Sequence, residues 1–365
     1  MTPDPGLASW LQLSLTPGLG ASTLRKLLGQ FGLPEAVLAR KRSELASYVA
    51  PLALEALDSS DVQEAVARAQ QWLAVKDHFV VTLADELYPR ALLEIADPPP
   101  LLYGHGRSQL LPQAALAIVG SRNASAQGER NAENFAAALS ATGLTIVSGL
   151  ALGIDAAAHR GGLTGAGSTI AVLGTGIDIV YPTRNAELAA EISRRGLLLS
   201  EFALGTPAVA HNFPRRNRLI SGLSRGCLVV EAAVASGSLI TARCAADQGR
   251  EVFAIPGSIH SPLSKGCHAL IKSGAKLVES AEDVLAELSG FRPSGYASTA
   301  SSTAPPDSGL LAVMGHDPVD VDSLCARAGL SAEQVASELL RLELDGRVTA
   351  LPGGLYQRLE KAHRG

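Results

Sequence analysis

The sequence lacks the cysteine patterns that build disulfide frameworks or zinc sites. Its four cysteines (Cys227, Cys244, Cys267 and Cys325) form no CxxC pair and no cluster with histidine. We therefore expect neither a disulfide scaffold nor a bound metal, and a reduced, cytoplasmic location. Signals for export are also lacking, because no basic residue precedes the first apolar stretch. The longest uncharged run, 161–177, is broken by repeated glycine, so no membrane association is expected.

Net positive charge is missing as well. The formal net charge is -4, which by itself argues against a nucleic-acid-binding protein. The charges are unevenly distributed, however. Acidic residues outnumber basic ones in 1–106 and in 307–365, whereas basic residues outnumber acidic ones in 107–288. Within the middle part, residues 211–226 (HNFPRRNRLISGLSRG) hold four arginines and no acid.

No catalytic constellation is evident. The sequence shows no Ser/His/Asp set, no metal-ligand cluster and no nearby pair of carboxylates beside a reactive group. We therefore predict no catalytic residues, no metal and no cofactor.

Four regions are expected from the pattern of apolar residues. They are a small helical domain at 1–80, an α/β domain at 81–288, a Ser/Thr/Ala/Pro-rich flexible linker at 289–306 and a winged-helix domain at 307–365. In the first region, LTPGLGASTLRKLLGQFG resembles a helix-hairpin-helix. Its Gly-x-Gly turn either presents N–H groups to a phosphate or is a tight turn that binds nothing.

Short apolar runs alternate with amphipathic stretches in the α/β domain. This pattern predicts a Rossmann-like, doubly wound, mostly parallel sheet with ligands beyond the carboxyl ends of its strands. Strands are expected at 115–119, 144–148, 168–173, 196–201, 227–232 and 251–256. Helices are expected at 128–141, 153–162, 185–195, 214–223, 238–248 and 263–273.

A glycine turn follows the first of these strands in VGSRNASAQGER (119–130). Gly120 allows the sharp turn, and Ser121 and Ser125 are placed to bind an anion at the start of the next helix. Arg122 stands where a dinucleotide fold would have glycine, and its planar guanidinium suits a phosphate. The alternative is that Arg122 only pairs with a carboxylate such as Asp155.

Two further strand ends, SGLALGIDAAAH and LGTGIDIVYPTRN, are rich in glycine. We assign Asp155 to capping a helix that starts near Ala156, and His159 to a structural role. Arg184 is a candidate second phosphate contact, the alternative being a solvated surface arginine. In the same way, Gly237 and Ser238 start a later helix and either cap it or bind a second anion.

The stretch HNFPRRNRLISG combines an aromatic ring with clustered guanidinium groups, as single-stranded nucleic acid requires. Phe213 is the stacking candidate, the alternative being a core residue. At helical pitch Arg215 and Arg218 share a face, whereas Arg216 and Asn217 turn elsewhere, inward or to a partner chain.

Several motifs together resemble the DprA/Smf family of DNA-processing proteins. They are IVGSRNAS, SGLALGIDAAAH, AVLGTGIDIVYPTRN, NFPRRNRLISGLS, SGSLITAR, VFAIPGS and SKGCHALIKSGAKLV, in order over about residues 80–288. The resemblance also implies an N-terminal sterile-alpha-motif-like domain and a C-terminal winged helix. By position it makes Arg122 the pocket arginine and Phe213 the stacking aromatic, with Arg184 in a loop that is often basic.

The resemblance implies a non-enzymatic protein that binds single-stranded DNA during natural transformation and recombination. It further implies protection of incoming DNA, loading of a RecA-type recombinase, displacement of single-strand-binding protein, and a homodimer formed through the Rossmann-like domain. The alternative is an enzyme, because nucleoside-monophosphate phosphoribohydrolases share such a sheet. Their P-G-G-x-G-T-x-x-E run is replaced here by SGSLITAR. The helix SAEQVASELLRLELDG of the winged domain is acidic, so it is expected to add little DNA affinity.

Overall fold

A computed structural model describes residues 5–288, 290 and 309–359. The linker expected at 289–306 lies outside these described residues, apart from Gly290.

Six short helices form the N-terminal unit. Proline starts three of them, and the Ser59 hydroxyl caps the last by accepting from the Val62 N–H. Leu24 and Leu27 face a small core of their own, while Trp10 and Leu11 pack with Tyr103 of the sheet, so the unit lies against the sheet. The helices are α1 (Pro5–Leu15), α2 (Ala21–Phe31), α3 (Pro34–Leu38), α4 (Arg42–Leu45), α5 (Pro51–Ala56) and α6 (Ser60–Leu73).

A nine-stranded sheet forms the centre of the molecule. Its order is β1-β2-β6-β5-β4-β3-β7-β8-β9. The strands are β1 (His78–Thr82), β2 (Leu101–Gly106), β3 (Ala115–Val119), β4 (Thr145–Ser148), β5 (Thr169–Val172), β6 (Leu197–Ser200), β7 (Gly226–Val229), β8 (Glu251–Ala254) and β9 (Lys276–Leu277). From β6 to β9 all neighbours are parallel, whereas β1 and β2 add an antiparallel edge. The strand order reverses direction between β3 and β7, which is the topological switch point.

Helices cover both faces of the sheet, because its central strands are mostly apolar and are buried at every position. They are α7 (Arg90–Leu93), α8 (Ala126–Ala141), α9 (Ile154–Gly162), α10 (Ala186–Arg195), α11 (Asn212–Gly222), α12 (Ser238–Asp247), α13 (Lys265–Lys272) and α14 (Ala281–Glu287). The predicted doubly wound, mostly parallel sheet is therefore confirmed, and its six predicted strands and six predicted helices all occur.

Three strands of the central sheet were not predicted from the sequence. β1 and β2 flank a proline-rich passage, and β9 has only two residues, so none of them shows the strand–helix alternation that revealed the others. Strand β1 begins at His78, so the sheet includes residues that the expected boundary at residue 80 gave to the helical domain.

The C-terminal part has the predicted winged-helix fold. It consists of α15 (Leu310–Met314), β10 (Val319–Asp320), α16 (Val321–Ala328), α17 (Ala332–Leu344), β11 (Val348–Leu351) and β12 (Leu355–Arg358). The antiparallel strand order is β10-β12-β11. Helix α17 starts with a capping box formed by Ser331 and Gln334. Among all described residues, no helix combines the length and apolar character that crossing a membrane requires.

We predict that Gly161→Ala destabilises the protein by about 1–3 kcal/mol, because the helices α8 and α9 touch there. A Cβ at Gly161 would lie 2.1 Å from the carbonyl oxygen of Glu133, a backbone atom that cannot move away easily. Urea unfolding followed by circular dichroism measures the effect. Gly29→Ala is the matched control: it is exposed within α2 with nothing within 4 Å, so it should stabilise by about 0.5–1 kcal/mol. Equal effects of the two changes would contradict the close helix contact.

Candidate nucleic-acid interface

The candidate site lies beyond the carboxyl ends of β3, β4 and β5, where short glycine-containing turns leave the sheet. The turn after β3 begins with Gly120, whose added Cβ would lie 2.6 Å from Ile154 Cγ1 and 2.8 Å from the Glu231 carbonyl oxygen. Only glycine fits there. The Ser121 N–H donates to that same carbonyl at 2.7 Å, so the turn is fixed to the strand end of β7. Arg122, the next residue, is exposed.

Four side chains meet at this edge, and we call them the Phe213 cluster: Arg122, Tyr181, Phe213 and Arg216. The Cζ of Arg122 lies 5.6 Å from the centre of the Phe213 ring, and the Cζ of Arg216 lies 6.0 Å from it. The Tyr181 and Phe213 ring centres are 5.8 Å apart. The Phe213 ring rests on Gly174 after β5, where a Cβ would lie 2.8 Å from it.

Phe213 is half-buried rather than a core residue, and Tyr181 remains 48% exposed. The arginines differ sharply. Arg122 is exposed, whereas Arg216 is buried and donates from Nη1 to the carbonyl oxygen of Val172 at 2.8 Å. Helical pitch left an inward position open for Arg216, and the structure places it inward. Burial lowers the pKa of Arg216 to about 10, Asp155 raises it in opposition, and Arg122 lowers it further.

Asp155 and His159 have structural roles, because both side chains accept hydrogen bonds from backbone N–H groups of the loop after β4. The Asp155 carboxylate accepts from the N–H groups of Gly149 and Ala151 at 3.1 and 3.3 Å. Burial raises the pKa of Asp155 and Arg216 opposes this, so Arg216 rather than Arg122 is the guanidinium that faces Asp155. Helix α9 begins at Ile154, and Asp155 therefore lies inside its first turn rather than before it.

His159 is neutral and fully enclosed. Its Nε2 accepts from the Leu150 N–H at 3.3 Å, and its Nδ1 donates to Thr169 Oγ1 at 2.7 Å, since that hydroxyl donates onward to the Ile146 carbonyl. Burial first, and then Arg216 and Arg160, lower the pKa of His159 to about 3. The Leu150 backbone has a φ of 59°, a conformation that non-glycine residues rarely adopt, and this hydrogen bond helps to keep it.

The expected phosphate cradle at the start of α8 is corrected by the structure, because a carboxylate already fills it. Glu231 follows β7 and accepts from the Ser125 hydroxyl at 2.6 Å and from the Ser125 N–H at 2.9 Å. Ser125 also caps α8 by accepting from the Gly128 N–H. A Cβ on Gly128 would lie 2.3 Å from the Glu231 carboxyl carbon. The Glu231 side chain therefore occupies the crevice at the switch point.

Arg215 and Arg218 do share a face of α11, as predicted, but that face lies against the Glu201 carboxylate. Arg218 pairs closely with the Glu201 carboxylate after β6 and with Asp97 at 3.5 Å, and its side chain is only 14% exposed. Arg215 lies 3.9 Å from Glu201, stacks over Phe202 at 5.3 Å and stays 54% exposed. Arg218 is therefore a packing residue and not a free cation, because its charge is already matched.

The remaining candidates lie around the rim. Arg184 is exposed in a short 3-10 turn that follows Tyr181 closely in sequence. Gly237 is exposed at the start of α12, and Asn217 contacts its carbonyl at 3.5 Å. Ser238 is buried, and its hydroxyl pairs with that of Ser236 at 2.7 Å. These contacts make Ser238 a helix-start residue rather than an open anion site.

The Phe213 cluster offers a flat ring and a guanidinium to the same space. An aromatic face binds nucleobases by stacking, and an exposed guanidinium binds phosphate, so the arrangement suits an unpaired polynucleotide. Among the described residues, no group of three or more histidine, cysteine or acidic side chains could hold a metal ion.

Comparison with known families identifies the chain. Residues 79–289 match the family described as DNA recombination-mediator protein A, and residues 295–354 match its winged-helix domain. The chain belongs to the DNA recombination-mediator protein A family. This family is the DprA/Smf family that the sequence motifs resemble.

Relatives support the assignment across most of the chain. Protein Smf of Escherichia coli is 46% identical over 300 residues, covering 80% of each chain. DNA processing protein DprA of Streptococcus pneumoniae has been solved; that structure is 38% identical, covers 79% of this chain and 99% of its own, and has a TM-score of 0.67. The structure of DNA processing protein A from Helicobacter pylori, described for its single-stranded DNA binding mode, is 31% identical with a TM-score of 0.53, covering 58% of this chain and 97% of its own.

Sequence reasoning on this member of the family missed two contributors to the site. Tyr181 stands beside Phe213, although only its position in an exposed loop could have suggested this. Glu231 follows β7, and the residue pattern gave no sign that its carboxylate occupies the start of α8. A glycine at 128, one turn into the helix, is the signal that space for another group is needed there.

We predict that His159→Gln weakens the acid sensitivity of folding. Below a pH of about 6.5 an unfolded histidine takes up a proton, whereas folded His159 stays neutral down to about pH 3. The unfolded state thus binds more protons in that window, so stability falls as pH falls. Urea unfolding of both proteins at neutral and mildly acidic pH measures this. The variant should lose less stability than the parent between the two conditions, and equal losses would contradict a neutral buried His159.

Proposed function

We propose that this protein binds single-stranded DNA at the Phe213 cluster. The observation that carries the proposal is the exposed guanidinium of Arg122 positioned over the half-buried Phe213 ring. A base can stack beside the ring while its phosphate meets Arg122. The binding mode named for the relative from Helicobacter pylori agrees with this chemistry.

The candidate residues take different parts in this proposal. Arg122, Arg184 and Phe213 contact the strand, because all three have exposed or half-exposed side chains at one edge. The others position them or line the rim: Gly120, Ser121, Ser125, Arg215, Arg216, Asn217, Arg218, Gly237 and Ser238. Arg216 does not contact the strand but supports the aromatic ring, since its buried guanidinium carbon lies 6.0 Å from the Phe213 ring centre.

The wider role that we propose rests on the family resemblance. The protein protects incoming DNA and loads a RecA-type recombinase on it in place of single-strand-binding protein, in natural transformation and recombination. It acts by binding and not by catalysis, as a cytoplasmic homodimer joined through the sheet domain. The Glu231 carboxylate in the switch-point crevice agrees with a binding role, because it occupies the place where a Rossmann fold holds a cofactor phosphate.

We also propose a division of labour along the chain. The α/β domain, starting at His78, carries the DNA site, the linker at 289–306 joins it to the winged helix, and the helical unit lies against the sheet. The winged helix serves a protein or regulatory contact rather than DNA. Its helix α17 has one arginine, Arg341, and that side chain pairs with Glu338 at 2.6 Å and Asp345 at 3.4 Å.

We expect Arg122→Ala and Phe213→Ala each to weaken oligo-dT binding by about 1–3 kcal/mol, because one removes a phosphate contact and the other a stacking surface. Arg122→Ala should also flatten the dependence of affinity on salt. Fluorescence anisotropy with a labelled oligomer at two salt concentrations gives both quantities.

Arg194→Ala is the matched control for the arginine change. Arg194 is an exposed arginine of α10, at the end of that helix which leads into the start of β6, away from the Phe213 cluster. It should leave affinity nearly unchanged. A folded Arg122→Ala protein that binds oligo-dT as tightly as the parent would refute the assignment of the site.

We expect the chain truncated after residue 290 to bind oligo-dT within about twofold of the full chain. The acidic helix α17 offers no unpaired arginine to a phosphate, so its loss removes little electrostatic attraction. The same anisotropy assay tests this, together with a duplex of equal length. A tenfold loss for either DNA would assign a DNA-binding role to the winged helix.

A further inference from the structure

A cavity of about 170 Å³ lies between the helical unit and the sheet. Leu15 and Leu19 line it from the helical side, Tyr103 and Glu201 line it from the sheet, and Arg215 lines it from α11. A single water molecule needs only about 10–15 Å³ measured in this way, so the space admits a larger group.

A second cavity of about 120 Å³ adjoins the first. The two share Leu15, Tyr103 and Ala203 as walls, and the second is bounded further by Arg68 of α6. We call the two together the interdomain cleft. Arg215 lines only one of its parts and Arg68 only the other, and both side chains are exposed, so each part has one exposed cation in its wall.

Polar groups in the walls of the cleft are left without partners. The hydroxyl of Tyr103, a residue only 2% exposed, has no hydrogen-bond partner among the described residues, and neither does Oε1 of Glu201, whose side chain is 4% exposed. Ser14 Oγ, which also belongs to a residue of the cleft wall, likewise has no hydrogen-bond partner among the described residues. Buried polar atoms are nearly always satisfied, so three at one cleft indicate a polar ligand.

Helix α11 carries residues of both the Phe213 cluster and the cleft. Arg215 follows Phe213 by two residues on α11, and it stacks on Phe202 while lining the cleft. Residues two apart on a helix face different sides, so a strand bound at the Phe213 ring passes around α11 to reach Arg215. Apolar walls with hydrogen-bonding groups suit a nucleobase, and an exposed arginine in each part of the cleft suits a neighbouring phosphate.

We propose that the interdomain cleft is a second subsite for the bound single strand. One nucleobase enters between Leu15, Tyr103 and Ala203, and the neighbouring phosphates are bound by Arg215 and Arg68. The inference rests on the proposed function, because the strand reaches the cleft from the Phe213 cluster. It predicts that an oligomer long enough to reach both places binds more tightly than one that fills the cluster alone.

The protein carries a reporter for this subsite. Both of its tryptophans, Trp10 in α1 and Trp72 in α6, belong to the helical unit. The Trp72 ring lies 5.8 Å from the Tyr103 ring. Filling the cleft should therefore change tryptophan emission, whereas filling the Phe213 cluster alone should not.

The experiment titrates the full chain with oligo-dT of about 6 and about 20 nucleotides, following anisotropy and tryptophan emission together. Ala203→Leu fills the cleft, and Arg68→Ala removes an exposed cation that is distant from the Phe213 cluster in sequence and fold. Both should weaken binding of the long oligomer about threefold to tenfold and reduce the emission change, and leave the short oligomer unaffected. Ala190→Leu, at an exposed position of α10, is the control for added bulk.

Each result bears on the inference. If both cleft variants keep the affinity and the emission change of the parent while Phe213→Ala weakens both oligomers, the second subsite is wrong and the proposed function stands. If the parent binds neither oligomer, both are wrong. If a deoxynucleoside monophosphate gives the full emission change at the same concentration as the long oligomer, the occupant is a free nucleotide and the strand subsite is overturned.

Discussion

The site depends on the interaction of the buried Arg216 guanidinium with the groups that surround it. A guanidinium removed from water costs several kcal/mol unless it is matched, and here the Val172 carbonyl and the nearby Asp155 carboxylate match it. The same Asp155 fixes the loop after β4, and the Phe213 ring lies beside Arg216. Strand end, loop and aromatic ring thus meet around these two buried groups. A neutral residue at this position would leave Asp155 unpaired and the ring without its support.

The Glu231 carboxylate explains why this sheet differs chemically from cofactor-binding relatives in fold. It occupies the N-terminal end of α8, which in dinucleotide folds receives a phosphate, and Gly128 leaves the space that it needs. The helix dipole is thereby neutralised within the chain. What remains available at the edge is a ring and exposed guanidinium groups, the combination that suits the bases and backbone of a polynucleotide. Membership of a family of DNA-processing proteins agrees with a site at the edge of the sheet rather than in the crevice at the start of α8.

Much of this architecture could be predicted, because buried parallel strands separated by amphipathic helices leave a strong periodic signal. That Arg122 and Phe213 belong to one site was implied by the family resemblance, and the structure shows the two side chains in contact. Which acidic side chain each arginine pairs with could not be predicted. Arg218 and Arg215 share a helix face in the sequence, yet only the folded chain brings Glu201 and Asp97 to Arg218. Likewise, β1 and β2 are antiparallel edge strands beside prolines, and their pairing depends on contacts far along the chain.

The Phe213 ring lies against Gly174, and its guanidinium neighbours come from the turn after β3 and from α11 itself. No contiguous peptide contains these parts. During synthesis the arginine of the first turn leaves the ribosome long before the ring that completes the site. A nascent chain therefore does not carry the complete Phe213 cluster until the sheet has formed. Truncation anywhere between these segments would remove the cluster as a unit.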